Sequence, residues 1–266
     1  MTEQPATPEI DTTVPHSARI WNYWLGGKDN YQVDRDAGDQ YQRTFPGVVD
    51  VARASRGFLI RSVRYLAGPA GIRQFLDIGT GLPTSDNTHE VAQRVAPESR
   101  IVYVDNDPLV LTHARALLAT HPLGVTAYLD ADLREPDVIL TQAAKTLDFE
   151  RPVGLILSGV MGHIPDTEQA YAIVRHLLGG LASGSYLSLN DGTSVVAGAA
   201  IEQAQQGYDD TGAVPYTLRT PAEIAGFFDG LELVPPGVVS CPQWRPDPDA
   251  TGPELVDAFG GVGRKP

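Results

Sequence analysis

The sequence predicts an α/β fold, a mostly parallel sheet flanked by helices and preceded by a helical N-terminal extension. Three observations predict it. From residue 74 onward, short apolar runs alternate with stretches that carry helix-capping chemistry. The first run enters a Gly-x-Gly turn, Gly79-Thr80-Gly81. The second and third runs each lead into aspartate, at Asp105 and at Asp130 and Asp132. Strand, helix, strand in regular order implies parallel strands joined by right-handed crossovers.

Residues 1–15 are rich in Thr, Pro and acid and read as a flexible tail. Residues 16–70 read as a helical extension. Ser17 is placed to cap a first helix carrying Ile20, Trp21, Trp24 and Leu25, which Gly26-Gly27 would end. Asp34 is placed to cap a second. A third is expected from Val48 to Ala67, because Val51, Phe58, Leu59, Val63 and Leu66 share one side at helical spacing. Arg53, Arg56, Arg61 and Arg64 fall on the other side, and Gly68-Pro69 closes the helix. Residues 71–266 read as the ligand-binding α/β domain. Its expected strands are Gln74–Ile78, Ile101–Val104, Val125–Leu129, Val153–Leu157, Ser185–Leu189, Leu231–Val234 and a last piece near Ala258–Val262. Between them, a helix is expected from about Ser85, with His89 partly exposed one turn in. Asp107-Pro108 offers an N-cap followed by proline at the first helical position. Another helix starts near Pro136, Asp166 with Gln169 resembles a capping box, and a final helix lies near Pro221–Phe228.

Composition narrows the function classes. Lys and Arg number 20 against 33 Asp and Glu, a net charge of −13. Such a surface repels phosphate backbones, so neither nucleic acid nor an anionic membrane is expected as a partner. No apolar stretch approaches the length of a membrane span, and MTEQPATPEIDTTVP lacks the apolar core of a signal peptide. Cys241 is the only cysteine, which allows neither an internal disulfide nor a cysteine-based zinc site and fits a reducing cytoplasm. No pair of His and acid has metal-ligand spacing, so no metal is expected.

The chemistry gathers at the strand ends. Gly79 and Gly81 can adopt conformations denied to other residues and let a ligand approach the backbone. In an open α/β sheet this carboxyl end is where ligands bind. Asp105 ends the second strand, where a carboxylate can accept both ribose hydroxyls of a nucleoside. Nicotinamide enzymes use the same device, so Asp105 alone does not choose the cofactor. The turn discriminates better. A dinucleotide site favours a third small residue where this chain has Thr84, and a pyrophosphate at the helix start. Asp77, two residues before Gly79, would oppose pyrophosphate and suits the ammonium of a methionine moiety. Asp132 is placed to accept an adenine amino group and Leu133 to pack on the ring, although either Asp130 or Asp132 could instead cap the next helix. Thr80, within the turn, and Asn106, beside Asp105, join the same expected set. Ser158 and Gly159 leave the fourth strand where cofactor and acceptor would meet.

The match then extends beyond a fold. The stretch from Pro15 through Trp21-Asn22-Tyr23-Trp24-Leu25-Gly26-Gly27-Lys28 to Tyr31 resembles a bacterial S-adenosyl methyltransferase family long described as a domain of unknown function. So do Gln74–Val95, Val102–Arg115, Asp130–Arg134 and the closing Phe259–Pro266. The resemblance covers residues 16–266. It implies a Rossmann-like class I methyltransferase fold with seven strands, six parallel and a C-terminal one antiparallel. It also implies S-adenosyl-L-methionine as cofactor and a small-molecule acceptor of unassigned identity. Two positions depart from the family pattern: Ser55 stands where Asn is expected, and Gly162-His163 stands where many members have His-Phe.

Two further expectations concern the rest of the site. The ring-rich segment from His16 to Tyr31 is expected to close over the ligand as a lid, with Tyr23, Lys28 and Asn30 reaching the cofactor carboxylate or the acceptor. His163 is a candidate general base, against the plainer reading of a structural histidine. A non-catalytic S-adenosylmethionine sensor and an NAD(P)-linked oxidoreductase remain the alternatives. Asp77 and the missing third glycine weigh against the oxidoreductase.

Overall fold

Three helices precede the sheet in the computed structural model, which describes residues 11–110, 112, 120–251 and 255–266. They are α1 (Ser17–Trp24), α2 (Gln32–Thr44) and α3 (Val48–Ala67). The strands are β1 (Gln74–Ile78), β2 (Arg100–Asp105), β3 (Val125–Asp130), β4 (Gly154–Ser158), β5 (Tyr186–Gly192), β6 (Glu232–Leu233), β7 (Val239–Ser240) and β8 (Ala258–Arg264). Between them run α4 (Thr88–Val95), α5 (Pro136–Ala143), α6 (Thr167–Gly179), α7 (Ala199–Asp209) and α8 (Pro221–Gly226). The ten residues of the expected tail before Asp11, and most of the helix expected after Pro108, lie outside the described residues. No helix among the described residues is long and apolar enough to cross a membrane.

The sheet order is β3-β2-β1-β4-β5-β8-β6, with β7 also paired to β8. β1 to β5 are mutually parallel and β8 is antiparallel to β5. The sheet therefore has the expected Rossmann-like class I form, with eight strands where seven were expected. The difference lies at one edge. β6 pairs with Gly263 and Arg264, and β7 pairs with Phe259 and Gly260. Both run antiparallel to β8 and divide one strand's place. Pro235-Pro236 separates them, and prolines have no N–H to give a ladder.

Strand alternation builds two apolar layers. Phe75, Ile101, Tyr103 and Ile156 pack with Phe58, Val63 and Leu66 of α3. Leu76, Ile78, Val102, Val104, Leu155 and Leu157 pack with Ile139 of α5, Ile173 and Leu177 of α6 and Ile224 of α8. The first layer also contains Ile20 and Tyr41, so one core runs across the boundary drawn at residue 70.

Local chemistry departs from expectation at several helix starts. His16, rather than Ser17, caps α1, and its Nδ1 accepts the Ala18 amide at 3.3 Å. Asp34 lies three residues inside α2, where it accepts the amides of Tyr31 at 2.8 Å and His16 at 2.9 Å. This buried carboxylate ties the starts of α1 and α2 together. α4 begins at Thr88, because Asn87 is its cap and donates its amide to Glu90 at 2.7 Å. His89 is buried, and its amide donates to the Tyr103 hydroxyl at 2.7 Å. Three of the four arginines of α3 are engaged within the chain, and Arg53 is exposed. Arg61 donates to the carbonyls of Trp244 and Cys241, Arg56 to that of Ser85, and Arg64 pairs with Asp247. α7 was not foreseen, although Ile201, Ala204, Gln205 and Tyr208 form its buried face at helical spacing.

Candidate functional site

A cavity of about 290 Å³ opens at the carboxyl ends of β1, β2, β4 and β5. The glycine turn builds one wall. Gly79 has φ +74° and its amide donates to Val104 O at 2.9 Å. A Cβ there would collide with Val160. Gly81 has φ +65°, and a Cβ there would find only Ala18 Cβ, at 4.0 Å. Thr80 Oγ1 donates to Asp77 O at 3.0 Å. The turn is therefore held by its own backbone, with Gly81 bordering open space.

Two carboxylates flank it. Asp105 accepts the Gly81 amide at 2.8 Å through Oδ2 and the Asp107 amide at 2.9 Å through Oδ1. Burial pushes its pKa up, and these two amides counter that. Each carboxylate oxygen keeps a second lone pair, so Asp105 is oriented and still able to accept. Asp77 accepts from Thr88 Oγ1 at 2.6 Å. Burial raises its pKa from 3.8 to about 6, against the lowering effects of that bond and of Arg56.

The other expected residues fall into two groups. Asn106, Asp132, Leu133, Ser158, Gly159 and His163 all line the cavity with Asp77, Gly79, Thr80, Gly81 and Asp105. Asp132 is engaged by Arg134, whose amide it accepts at 2.8 Å and whose guanidinium lies at 3.1 Å. Ser158 Oγ donates to Asn190 Oδ1 at 2.8 Å, and the Gly159 amide to Asn190 O at 2.8 Å. His163 Nδ1 lies 3.0 Å from Pro215 O. Burial lowers its pKa, so the ring is neutral near pH 7, with Nδ1–H donating and Nε2 unprotonated.

Tyr23, Lys28 and Asn30 are not brought to the cavity, which corrects their expected placement. Tyr23 donates to Asp39 Oδ1 of α2 at 2.7 Å. Asn30 Nδ2 donates to Asn22 Oδ1 at 3.0 Å and Gly27 O at 3.1 Å, bracing the Gly26-Gly27 turn. Lys28 is exposed. The physical reason is helical phase: Tyr23 points from α1 toward α2, while Trp21, Trp24 and Leu25 of the same segment line the cavity. Tyr23→Phe and Lys28→Ala are each expected to leave S-adenosylhomocysteine affinity within about twofold of the parent, since neither touches the cavity; titration calorimetry checks this.

Several lining residues escaped the sequence reading. Asn190 and Asp191 end β5, the same strand-end signal that marked Asp77 and Asp105. Asn190 Nδ2 donates to Ser55 Oγ at 2.6 Å, so the departure at position 55 falls inside the cavity wall. Asp191 accepts the Tyr216 hydroxyl, and burial raises its pKa to about 6. Gly162, the other departure, leaves no room for a Cβ against the Tyr216 ring. Arg19 of α1 reaches the buried Asp107 at 3.5 Å, tying α1 to the loop after β2.

With a ligand ammonium at Asp77, as its position before the glycine turn predicts, ligand affinity is expected to depend on pH. Its raised folded-state pKa contributes stability that is complete below 3.8 and lost as pH rises through about 6. A ligand ammonium favours the ionised carboxylate, so the effect on affinity has the opposite sign. S-adenosylhomocysteine binding is expected to weaken below pH 6, by up to about tenfold per pH unit. Asp77→Asn should flatten that step. A parent affinity constant from pH 5 to 7.5 would remove Asp77 from the site.

Comparison with known proteins agrees with this geometry. A family model described as S-adenosyl methyltransferase matches residues 3–266. The crystal structure of a DUF574 family protein from Streptomyces avermitilis is 48% identical, with TM-score 0.93, over 97% of this chain and 100% of that one. A Thermobifida fusca protein, provisionally described as a methyltransferase, is 41% identical, with TM-score 0.86, over 96% of each chain. A SAM-dependent methyltransferase from Anabaena variabilis shares the fold at 16% identity and TM-score 0.53, over 99% of this chain and 100% of that one. Among curated proteins none matches significantly. With the family model spanning nearly the whole sequence and two relatives above 40% identity, the chain belongs to the S-adenosyl methyltransferase family, whose cofactor is S-adenosyl-L-methionine.

Proposed function

We propose that the protein transfers a methyl group from S-adenosylmethionine to a small-molecule acceptor enclosed in this cavity. The observation that carries the proposal is Asp105, a cavity carboxylate oriented by the amides of Gly81 and Asp107. In this reading Asp105, with Asn106 beside it, receives the ribose. Asp77 receives the ammonium, directly or through water, while the open space beside Gly81 admits the ligand close to the backbone. Asp132 and Leu133 take the adenine, and Ser158 and Gly159 border the reacting end. When bound, S-adenosylmethionine supplies a methyl group on a positively charged sulfur, which keeps the electron pair as the methyl passes to the acceptor. The protein's own task is then to align the acceptor and exclude water. In this reading neutral His163, with Nε2 unprotonated, takes the acceptor's proton.

The test is calorimetry on the full-length protein. S-adenosylmethionine and S-adenosylhomocysteine are expected to bind at about one site per chain, and NADH is not. Asp105→Ala should weaken S-adenosylhomocysteine by roughly 1.5–3 kcal/mol, the range for hydrogen bonds to a charged group. Tight NADH binding without any response to S-adenosylhomocysteine would overturn the cofactor assignment. A folded Asp105→Ala variant that binds like the parent would remove Asp105 as ribose ligand.

A further inference from the structure

The sheet order divides the cavity into two flanks. β1, β2 and β3 lie on one side of β4, and β5 lies on the other. The proposed cofactor residues come from the first side and from the end of β4 itself. The remaining wall comes from α1 to α3, α7, the end of β5 and residues 214–218. It is built of rings. Trp21 and Trp24 meet edge to face with centroids 5.8 Å apart, and Tyr41 extends the row at 5.2 Å from Trp24. Ile201, Tyr208 and Leu218 complete this apolar flank.

Its carboxylates are already engaged. Asp257 accepts the amides of Val196 and Ala197 at 2.7 and 2.8 Å. Asp191 accepts the Tyr216 hydroxyl and lies 3.6 Å from Arg219 Nη1, while Arg219 also donates to Met161 O at 2.8 Å. Asp191 is charge-paired with Arg219, while Asp257 is held by backbone amides alone and keeps its negative charge beside the cavity. An anion brought into such surroundings would be buried beside the carboxylates of Asp191 and Asp257, which is costly. A flat apolar body would instead gain contact with the aromatic row. Between the flanks stands His163, whose Nε2 can accept a hydrogen bond from a hydroxyl.

We propose that this flank binds an aromatic acceptor that bears a hydroxyl and no negative charge, with its ring system against Trp21 and Trp24 and its hydroxyl toward His163. The proposal rests on the first flank being the cofactor site, and the experiment separates the two. Full-length protein is first titrated with S-adenosylhomocysteine. The saturated complex is then titrated with two probes of one skeleton: 2-naphthol and 2-naphthoate, which are neutral and anionic near pH 7. The neutral probe is expected to bind at least about tenfold more tightly than the anionic one. Trp24→Ala should weaken it by about tenfold or more, and Trp21→Leu serves as the second variant if Trp24→Ala does not fold. Equal or tighter binding of 2-naphthoate overturns the proposal, as does failure of both probes to bind the saturated complex. Insensitivity of 2-naphthol to the tryptophan changes overturns it too. Failure of S-adenosylhomocysteine itself to bind overturns the cofactor reading beneath it.

Discussion

Asp107→Ala is expected to destabilise the protein by about 3–5 kcal/mol, the cost of breaking a buried ion pair from one side. The Asp107 side chain is fully buried, and the Arg19 side chain facing it is 5% exposed. Their 3.5 Å separation exceeds a charge-assisted hydrogen bond, so the attraction is mainly coulombic. Without Asp107, Arg19 keeps one bond to Asp11 O at 2.8 Å and its place over the Tyr31 ring, but no acid partner. Asp107 Oδ1 also accepts the Leu109 amide at 2.8 Å, so a cap worth about 1 kcal/mol goes with it. Asp107→Asn separates the two effects, because its side-chain oxygen can still cap. The double variant Asp107→Asn with Arg19→Met removes both charges and should recover most of the loss, as exchange of a whole buried pair for neutral groups often does. Because α1 lines the cavity, cofactor affinity should fall in Asp107→Ala and return in the double variant. Urea unfolding and calorimetry read both. A single Asp107→Ala variant within 1 kcal/mol of the parent would show that the pair does not hold α1 down.

Gly79→Ala is expected to cost about 2–6 kcal/mol and to abolish cofactor binding. At φ +74° any side chain carries a backbone penalty of about 1–3 kcal/mol. The added Cβ would also lie 2.7 Å from Val160 Cβ, which rotation of the valine side chain cannot relieve. Overpacking of this kind adds about 1–3 kcal/mol. The neighbouring glycine supplies the control. Gly81→Ala meets the same backbone penalty at φ +65°, but its Cβ would have only Ala18 at 4.0 Å. Gly81→Ala should therefore be the milder change in stability. If thermal unfolding ranks the two equally, Val160 yields more easily than this packing implies.

The strands and the first flank of the cavity were legible because both are written locally. Gln74–Ile78 is a fully buried strand, and after Gln74 it reads as an apolar run interrupted only by Asp77. α3 has the bounds its 3.6-residue periodicity set. Asp77, Asp105 and Asp132 line the cavity because a parallel sheet places every strand's carboxyl end along one edge, whatever the neighbours. That geometric rule needs no knowledge of which strand lies beside which.

The second flank obeyed no such rule. Asp191, Tyr216 and Arg219 meet only after β5 is placed beside β4 and the chain returns past it. Asn190 finds Ser55 across 135 residues. His89 looked accessible as a polar residue one turn into a helix, and Tyr103 of the neighbouring strand buried it. Tyr23, Lys28 and Asn30 share their segment with Trp21 and Trp24, and composition could not say which of these would face the ligand. The sequence by itself determined the sheet, the glycine turn and the strand-end acids, since these depend on backbone periodicity and on residues adjacent in the chain. Which face of α1 turns inward, which charges neutralise one another and what kind of acceptor the cavity fits were decided by tertiary structure, because packing and desolvation act between residues that the chain order keeps apart.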